Sequence, residues 1–194
     1  VWPGEIVGLV EMDAERLWAI AVSLAGLNHP LSFPIYLEGE RREWKNYSQV
    51  QQAGIEIFFG YSDEFQWFPG FSVSINYSIP ILNRVSNAFG IIQPHLVRYV
   101  FQKGAHKAGL DQYSGKELIS AMTSSERISL YLERLFQRNP KLLVVYDYGQ
   151  ALDFVLRNLV FQKLNQEAKE GRSILILANN HLEITDICHR IYRL

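Results

Sequence analysis

Two short stretches carry side chains whose types and spacing could do chemistry. In the first, Gly4-Glu5-Ile6-Val7-Gly8-Leu9-Val10 leads through a tight turn into an apolar-periodic segment, Ala14 to Leu27. Strand, turn and helix in that order gather backbone N–H groups and a helix dipole, the setting of a phosphate-binding loop. Glu11, Asp13 and Glu15 crowd that helix start. They satisfy the dipole themselves and would repel a triphosphate. In the second stretch, Asp147 follows the apolar run Leu142-Leu143-Val144-Val145 and sits between Tyr146 and Tyr148. A carboxylate at the carboxyl end of a buried strand lies where α/β sheets place ligands, and it could orient a water.

Other polar groups read first as structural. Thr123-Ser124-Ser125-Glu126 has the form of a capping box and starts a helix whose apolar face is Ile128, Leu132, Leu135 and Phe136. Asp153, ending Ala151-Leu152-Asp153, is placed to cap the helix from about Phe154 to Glu170. His181 reads as an isolated surface histidine and Cys188 as a small buried hydrophobe. No set of Cys, His and carboxylates has metal-ligand spacing. Phe65, Trp67, Phe68, Phe71 and Tyr77 cluster in sequence. They either receive a partner helix or close a local core, and both readings stand.

The elements that must position these groups follow from hydrophobic period. Strands are expected at about 5–10, 54–59, 142–145 and 173–177, with short strands and turns over 31–47 around Leu37-Glu38-Gly39. Helices are expected at 14–27, 89–110 (Pro94 near its start), 124–139 and 154–170, with a further helical turn in 116–121. The chain of 194 residues is 48% hydrophobic, enough for one α/β core, and is read as a single domain. Its core is placed at about 1–88 and 140–194, with a helical subdomain at about 89–139. Net charge is −1 and no Lys/Arg cluster stands out, which argues against nucleic acid. No apolar run approaches the roughly 18 residues of a membrane span. The single cysteine fits a reducing compartment.

In this order, these segments resemble the ATP-binding subunits of ABC transporters, and Pro69-Gly70-Phe71-Ser72-Val73-Ser74-Ile75-Asn76 is similar to the sugar and nucleoside importer branch in particular. The resemblance implies an α/β, P-loop NTPase-like (RecA-like) fold: a mostly parallel sheet flanked by helices, an inserted helical subdomain and truncated N-terminal antiparallel strands. The initial strands of such a domain, with the aromatic that stacks on adenine, would precede Val1, so the sequence reads as a piece of a longer polypeptide.

The same resemblance exposes a pattern of losses. Where relatives have phosphate-loop glycines stand Glu11, Ala14 and Arg16. Leu17 replaces the phosphate-gripping lysine and Trp18 the magnesium-binding hydroxyl, with Leu17 and Trp18 expected to fill the vacated space. Gly60 replaces the glutamine after the strand ending in Phe59, Tyr146 the magnesium aspartate, Asp147 the catalytic glutamate and Asn179 the switch histidine. What is partly kept acts across a dimer interface in relatives: Thr123, Ser124, Ser125 and Glu126 at the signature, and Ala151, Leu152 and Asp153. The resemblance places permease docking at Phe59, Gly60, Tyr61, Phe65, Trp67 and Phe68.

The resulting expectation is a catalytically degenerate pseudo-ATPase with no cofactor, peripheral to the inner, cytoplasmic face of the cell membrane. Its partners would be an active ABC ATPase subunit or domain and transmembrane permease subunits. Two alternatives remain: residual ATP and magnesium binding or hydrolysis, or a repurposed enzyme using Asp147.

Overall fold

A computed structural model describes residues 1–27, 34–59, 67–147 and 154–194, with the backbone alone at Asp147. The chain divides into two compact units. One comprises Val1–Gly60, Pro140–Asp153 and Phe161–Leu194; the other comprises Tyr61–Asn139 and Phe154–Val160.

The first unit is built on a parallel sheet. Its strands are β1 (Ile6–Val10), β4 (Ile55–Phe58), β5 (Leu142–Asp147), β6 (Ser173–Ala178) and β7 (Arg190–Arg193), in the order β4-β5-β6-β1-β7. Every pairing described between them is parallel. A near-continuous apolar run is what a strand covered on both faces requires, and Leu143, Val144, Val145, Ile174, Ile176 and Leu177 are all buried. β6 is the middle strand, with β5 and β1 on either side. A small antiparallel hairpin, β2 (Ile35–Leu37) and β3 (Glu40–Arg42), turns at Glu38-Gly39, both at positive φ.

Helix α1 (Ala14–Leu24) lays Leu17, Ile20 and Ala21 against Ile55, Ile57, Val144, Tyr146 and Leu177. Asn46 caps α2 (Tyr47–Gln52), which contributes Val50 to the same cluster. β7 was not foreseen. It lies along β1, where Glu5 grips Arg190 through two hydrogen bonds of 2.6 and 2.8 Å. Those bonds hold the Glu5 carboxyl down at about 2. Side chains close in on Gly8 of β1: a Cβ there would lie 2.5 Å from Ile184 Cδ1 and 3.1 Å from Cys188 Sγ, so those ends would have to shift. Burial pushes the Cys188 thiol up to about 12. The thiolate is the reactive form. Native protein at pH 8 is therefore expected to react with a disulfide reagent at least tenfold more slowly than protein unfolded in guanidinium. Equal rates would show the thiol to be open.

The second unit contains α3 (Val73–Ser78), α4 (Pro94–Lys107) and α5 (Ser124–Leu135), with 3-10 turns at Ile79–Arg84, Ile119–Ala121 and Phe136–Arg138. It starts earlier than residue 89, because α3 packs on α4 inside this unit: Gly104 leaves the space that the Tyr77 ring occupies. α4 begins at Pro94 rather than Phe89. The preceding residues form a bridge, Ser86 with Ile92, and an Asn87-centred turn, while Pro at the first helical position needs no N–H partner. Helix α6 (Phe154–Lys169) has its first residues in this unit and the rest in the sheet unit.

Candidate functional site

The carboxyl ends of β1, β5 and β6 lie together, with Ala178 in register with both Val10 and Asp147. The turn from β1 into α1 starts here, and the Glu11 amide donates to Ala178 O at 3.1 Å. Glu11 then folds back. The residue is 5% exposed; Oε1 accepts from the Asp13 amide at 3.0 Å, and Oε2 lies 3.3 Å from Arg16 Nη1. Asp13 caps α1, its Oδ1 accepting from the Glu15 amide at 2.9 Å and the Arg16 amide at 3.3 Å. Three backbone amides that could cradle an anion are thus already bonded to carboxylates of the loop itself.

Leu17 is buried, packed in the cluster that α1 forms on the sheet. Trp18 only partly fills its space. It is 47% exposed and rests edge-on against Tyr146 (centroids 5.5 Å apart) and Phe59 (5.7 Å), with Tyr146 2% exposed beneath it. A magnesium triphosphate needs unoccupied amides, a cation and an oxygen ligand for the metal. Buried and capping carboxylates, an apolar Leu17 and an indole do not fit that group.

Beside this loop the same sheet edge carries a cleft of about 580 Å³, lined among others by Met12, Asn179, His181, Glu183 and Arg193. Asn179, expected at the switch position, is exposed there. Sequence reasoning missed the contribution of Arg193 because it missed β7. Among the described residues no group of His, Cys, Asp and Glu is arranged to hold a metal ion. The side chain of Asp147 lies outside the described residues, as do Gly60, Tyr61, Phe65, Tyr148, Gly149, Ala151, Leu152 and Asp153.

In the helical unit the signature-like stretch is a complete capping box. Thr123 Oγ1 accepts from the Glu126 amide at 3.3 Å, and Glu126 Oε2 accepts from the Thr123 amide at 2.7 Å and from its hydroxyl at 2.8 Å. The Thr123 amide, with the hydroxyls of Thr123 and Tyr113, holds the Glu126 carboxyl below its ordinary range. Thr123 and Glu126 are therefore engaged with each other; Ser124 is exposed and Ser125 half-buried.

The aromatic stretch separates into two classes. Trp67 is 4% exposed, edge-on to Tyr131 at 6.0 Å, with the Arg134 guanidinium 4.5 Å from its ring centroid. It is core and offers no docking surface. Phe68 and Phe71 are about half exposed and pack on each other at 5.9 Å. The fully buried Asn76 presents them: its Oδ1 accepts from the Phe68 amide, and its Nδ2 donates to the carbonyls of Phe68, Phe71 and Ser72. No signal in the sequence distinguished Trp67 from its neighbour Phe68, or marked Asn76 as their organiser.

No protein-family model matches the chain. Curated proteins do. The chain is similar to the ribose import ATP-binding protein RbsA of Ruegeria sp. (21% identity over 188 residues) and to the galactose/methyl galactoside import ATP-binding protein MglA of Clostridium perfringens strain SM101 (19% over 188 residues), each alignment covering 97% of this chain. It spans only 37% and 36% of those proteins, little more than a third of their length. Among solved structures it superposes on the ADP conformation of MJ1267, an ATP-binding cassette of an ABC transporter, with a TM-score of 0.78 at 13% identity over 99% of this chain and 77% of that one. It also superposes on cbiO1 of Clostridium perfringens, part of the ABC transporter complex cbiONQ, with a TM-score of 0.75 at 14% identity, covering 98% and 73%.

Proposed function

We propose that this chain, which has the fold of an ABC transporter ATP-binding cassette and resembles the sugar-importer branch in sequence, is a catalytically degenerate component of a membrane importer. It pairs with an active ATPase subunit or domain and sits beneath transmembrane permease subunits on the cytoplasmic side, contributing packing surface and no hydrolysis. The observation that carries this reading is the self-filled loop. The Asp13, Glu15 and Arg16 amides already serve the carboxylates of Glu11 and Asp13, so a triphosphate would have to displace two anions that are covalently held in place. Each displaced carboxylate would lose charge-assisted bonds worth about 1.5–3 kcal/mol apiece. No lysine stands at Leu17 to offset that cost. On this reading the exposed Ser124, whose Oγ accepts from Arg127 Nη2 at 3.3 Å, faces a partner's nucleotide, and Phe68 and Phe71 meet a permease.

Titration of the chain with ATP and magnesium in a calorimeter is expected to show no heat above dilution. Saturable binding in the micromolar range would overturn the degenerate reading. The importer role is checked separately by isolating the intact protein from cells: permease subunits and a complete ATPase should accompany it, and their absence removes that role whatever the calorimetry gives.

A further inference from the structure

Three separate stretches of chain meet in the cleft at the carboxyl edge of the sheet: the turn after β1, the segment after β6 and the end of β7. Hydrogen bonds fix each wall. Val10 is in register with Ala178 of β6 and Arg193 of β7, and the Leu194 amide donates to Val10 O at 3.0 Å. After β6, Asn180 Oδ1 accepts from the Leu182 amide at 3.0 Å, and the Thr185 hydroxyl donates to His181 O at 2.8 Å, bracing the 3-10 turn His181–Glu183. At about 580 Å³ the cleft has the size of a small-molecule site. Walls braced in this way need little ordering when a ligand enters.

The lining divides by chemistry. Val10, Met12 and Leu194 are apolar, and Met12 and Leu194 are exposed to water. Arg193 brings a guanidinium that forms no ion pair among the described residues. The acids of the adjoining loop do not claim it, because Glu11 pairs with Arg16 and Asp13 caps α1. His181 adds a half-buried imidazole. The Asn180 oxygen already accepts from Leu182, so what that side chain can offer a ligand is its amide N–H donors. Glu183 adds one carboxylate acceptor.

We propose that this cleft binds a small aliphatic monocarboxylic acid carrying a hydroxyl or amino group. The carboxylate meets Arg193, whose planar guanidinium matches it through two parallel N–H bonds. The hydroxyl or amino group donates to Glu183, and the carbon chain takes Met12 and Leu194 out of water. A ligand of higher negative charge fits less well, since Glu183 in the same lining repels it. A purely apolar ligand would strip water from Arg193 and Glu183 and return no hydrogen bond. A bare metal ion is no match either: among the described residues no group of His, Cys, Asp and Glu is arranged to hold one. The proposal rests on the ends of β1, β6 and β7 and stands whether or not the loop before α1 binds nucleotide.

The test is titration of the full chain, followed by its backbone amide NMR signals, with 2-hydroxy-4-methylpentanoate and with leucine. The controls are 4-methylpentanoate, which lacks the donor, the methyl esters, which lack the charge, and inorganic phosphate. Saturable shifts are expected at His181–Glu183 and Arg193 with at least one of the two acids, and which of them binds identifies the donor. Each control should bind about tenfold more weakly or worse, as each forfeits a charge-assisted hydrogen bond or meets Glu183 with excess charge. R193Q should weaken the acids by about tenfold or more, and R193K should restore only part of that loss, having the charge without the fork. E183Q should narrow the gap between the hydroxy acid and 4-methylpentanoate. Circular dichroism should confirm that the variants fold. Failure of both acids to bind, shifts confined to other parts of the chain, esters or phosphate binding as tightly as the acids, or indifference to R193Q would each overturn the proposal.

Discussion

Replacing Gly104 with alanine is expected to destabilise the protein by about 3 kcal/mol, against the intrinsic preference of the helix that contains it. Alanine is favoured over glycine in a helix interior by about 1 kcal/mol, and the unfolded chain also has less freedom to lose. Packing opposes both. A Cβ at Gly104 would lie 2.0 Å from Tyr77 Oη and 2.2 Å from Cζ, where contacts of about 3.5–4.0 Å are comfortable. The ring cannot simply swing aside. Tyr77 is 3% exposed and edge-on to Phe101 at 6.1 Å, and burial pushes its phenol up to about 12. Overpacking that moves a ring and its neighbours costs about 1–3 kcal/mol, occasionally more; with an overlap this deep the upper end applies. Thermal unfolding should fall by about 6–12 °C for a chain of this size. Tyr77→Phe should not relieve the clash, because Cζ remains. Tyr77→Val removes the ring, and the double mutant should recover about 2 kcal/mol of the sum of the two single losses. A neutral or stabilising Gly104→Ala would mean that α3 and α4 are packed otherwise.

Local chemistry explains what could be read directly from the sequence. The runs Leu142 to Val145 and Ser173 to Leu177 read as buried strands, and both are strands whose residues are buried or half-buried. Thr123 and Glu126 three residues apart announced their capping box. β7 was invisible because only Ile191 and Tyr192 are apolar in Arg190–Arg193, too short a pattern without β1 to pair with. Phe89, Ile91 and Ile92 fall within the helix expected over 89–110. The Asn87 side chain holds them in a turn instead, through bonds that depend on the folded loop.

The candidate site was half legible. That acidic residues stand at the start of α1 is plain in the sequence. That Glu11 is buried, bonded to the Asp13 amide and paired with Arg16, needs the turn's geometry. Trp18 shows the opposite error: substitution of a small hydroxyl residue by an indole suggested filling, whereas the helix surface leaves half the ring in solvent. Side-chain type fixes what a position can no longer do; the backbone path decides what it does instead.

Removing Glu167 should be about as costly as the clash at Gly104, for an electrostatic reason. Glu167 is 3% exposed on α6. Its Oε1 lies 2.7 Å from Lys163 Nζ one turn earlier, and its Oε2 bonds Arg172 Nη1 as the chain turns into β6. All three side chains are largely withdrawn from water, so screening is weak. Glu167→Ala takes one carboxylate from two desolvated cations, and breaking a buried pair from one side costs about 3–5 kcal/mol. Arg172 keeps Glu170 at 3.1 Å, which places the expected loss nearer 3 kcal/mol, read as a shift in urea midpoint at constant slope. A packing account and an electrostatic account part on the next step. If lost volume were the cause, truncating the neighbours as well would add to the damage. If stranded charge is the cause, Lys163→Met and Arg172→Met in the Glu167→Leu background should recover most of the loss, since an apolar replacement of a whole buried cluster is often neutral. A triple variant less stable than Glu167→Ala would refute the electrostatic account.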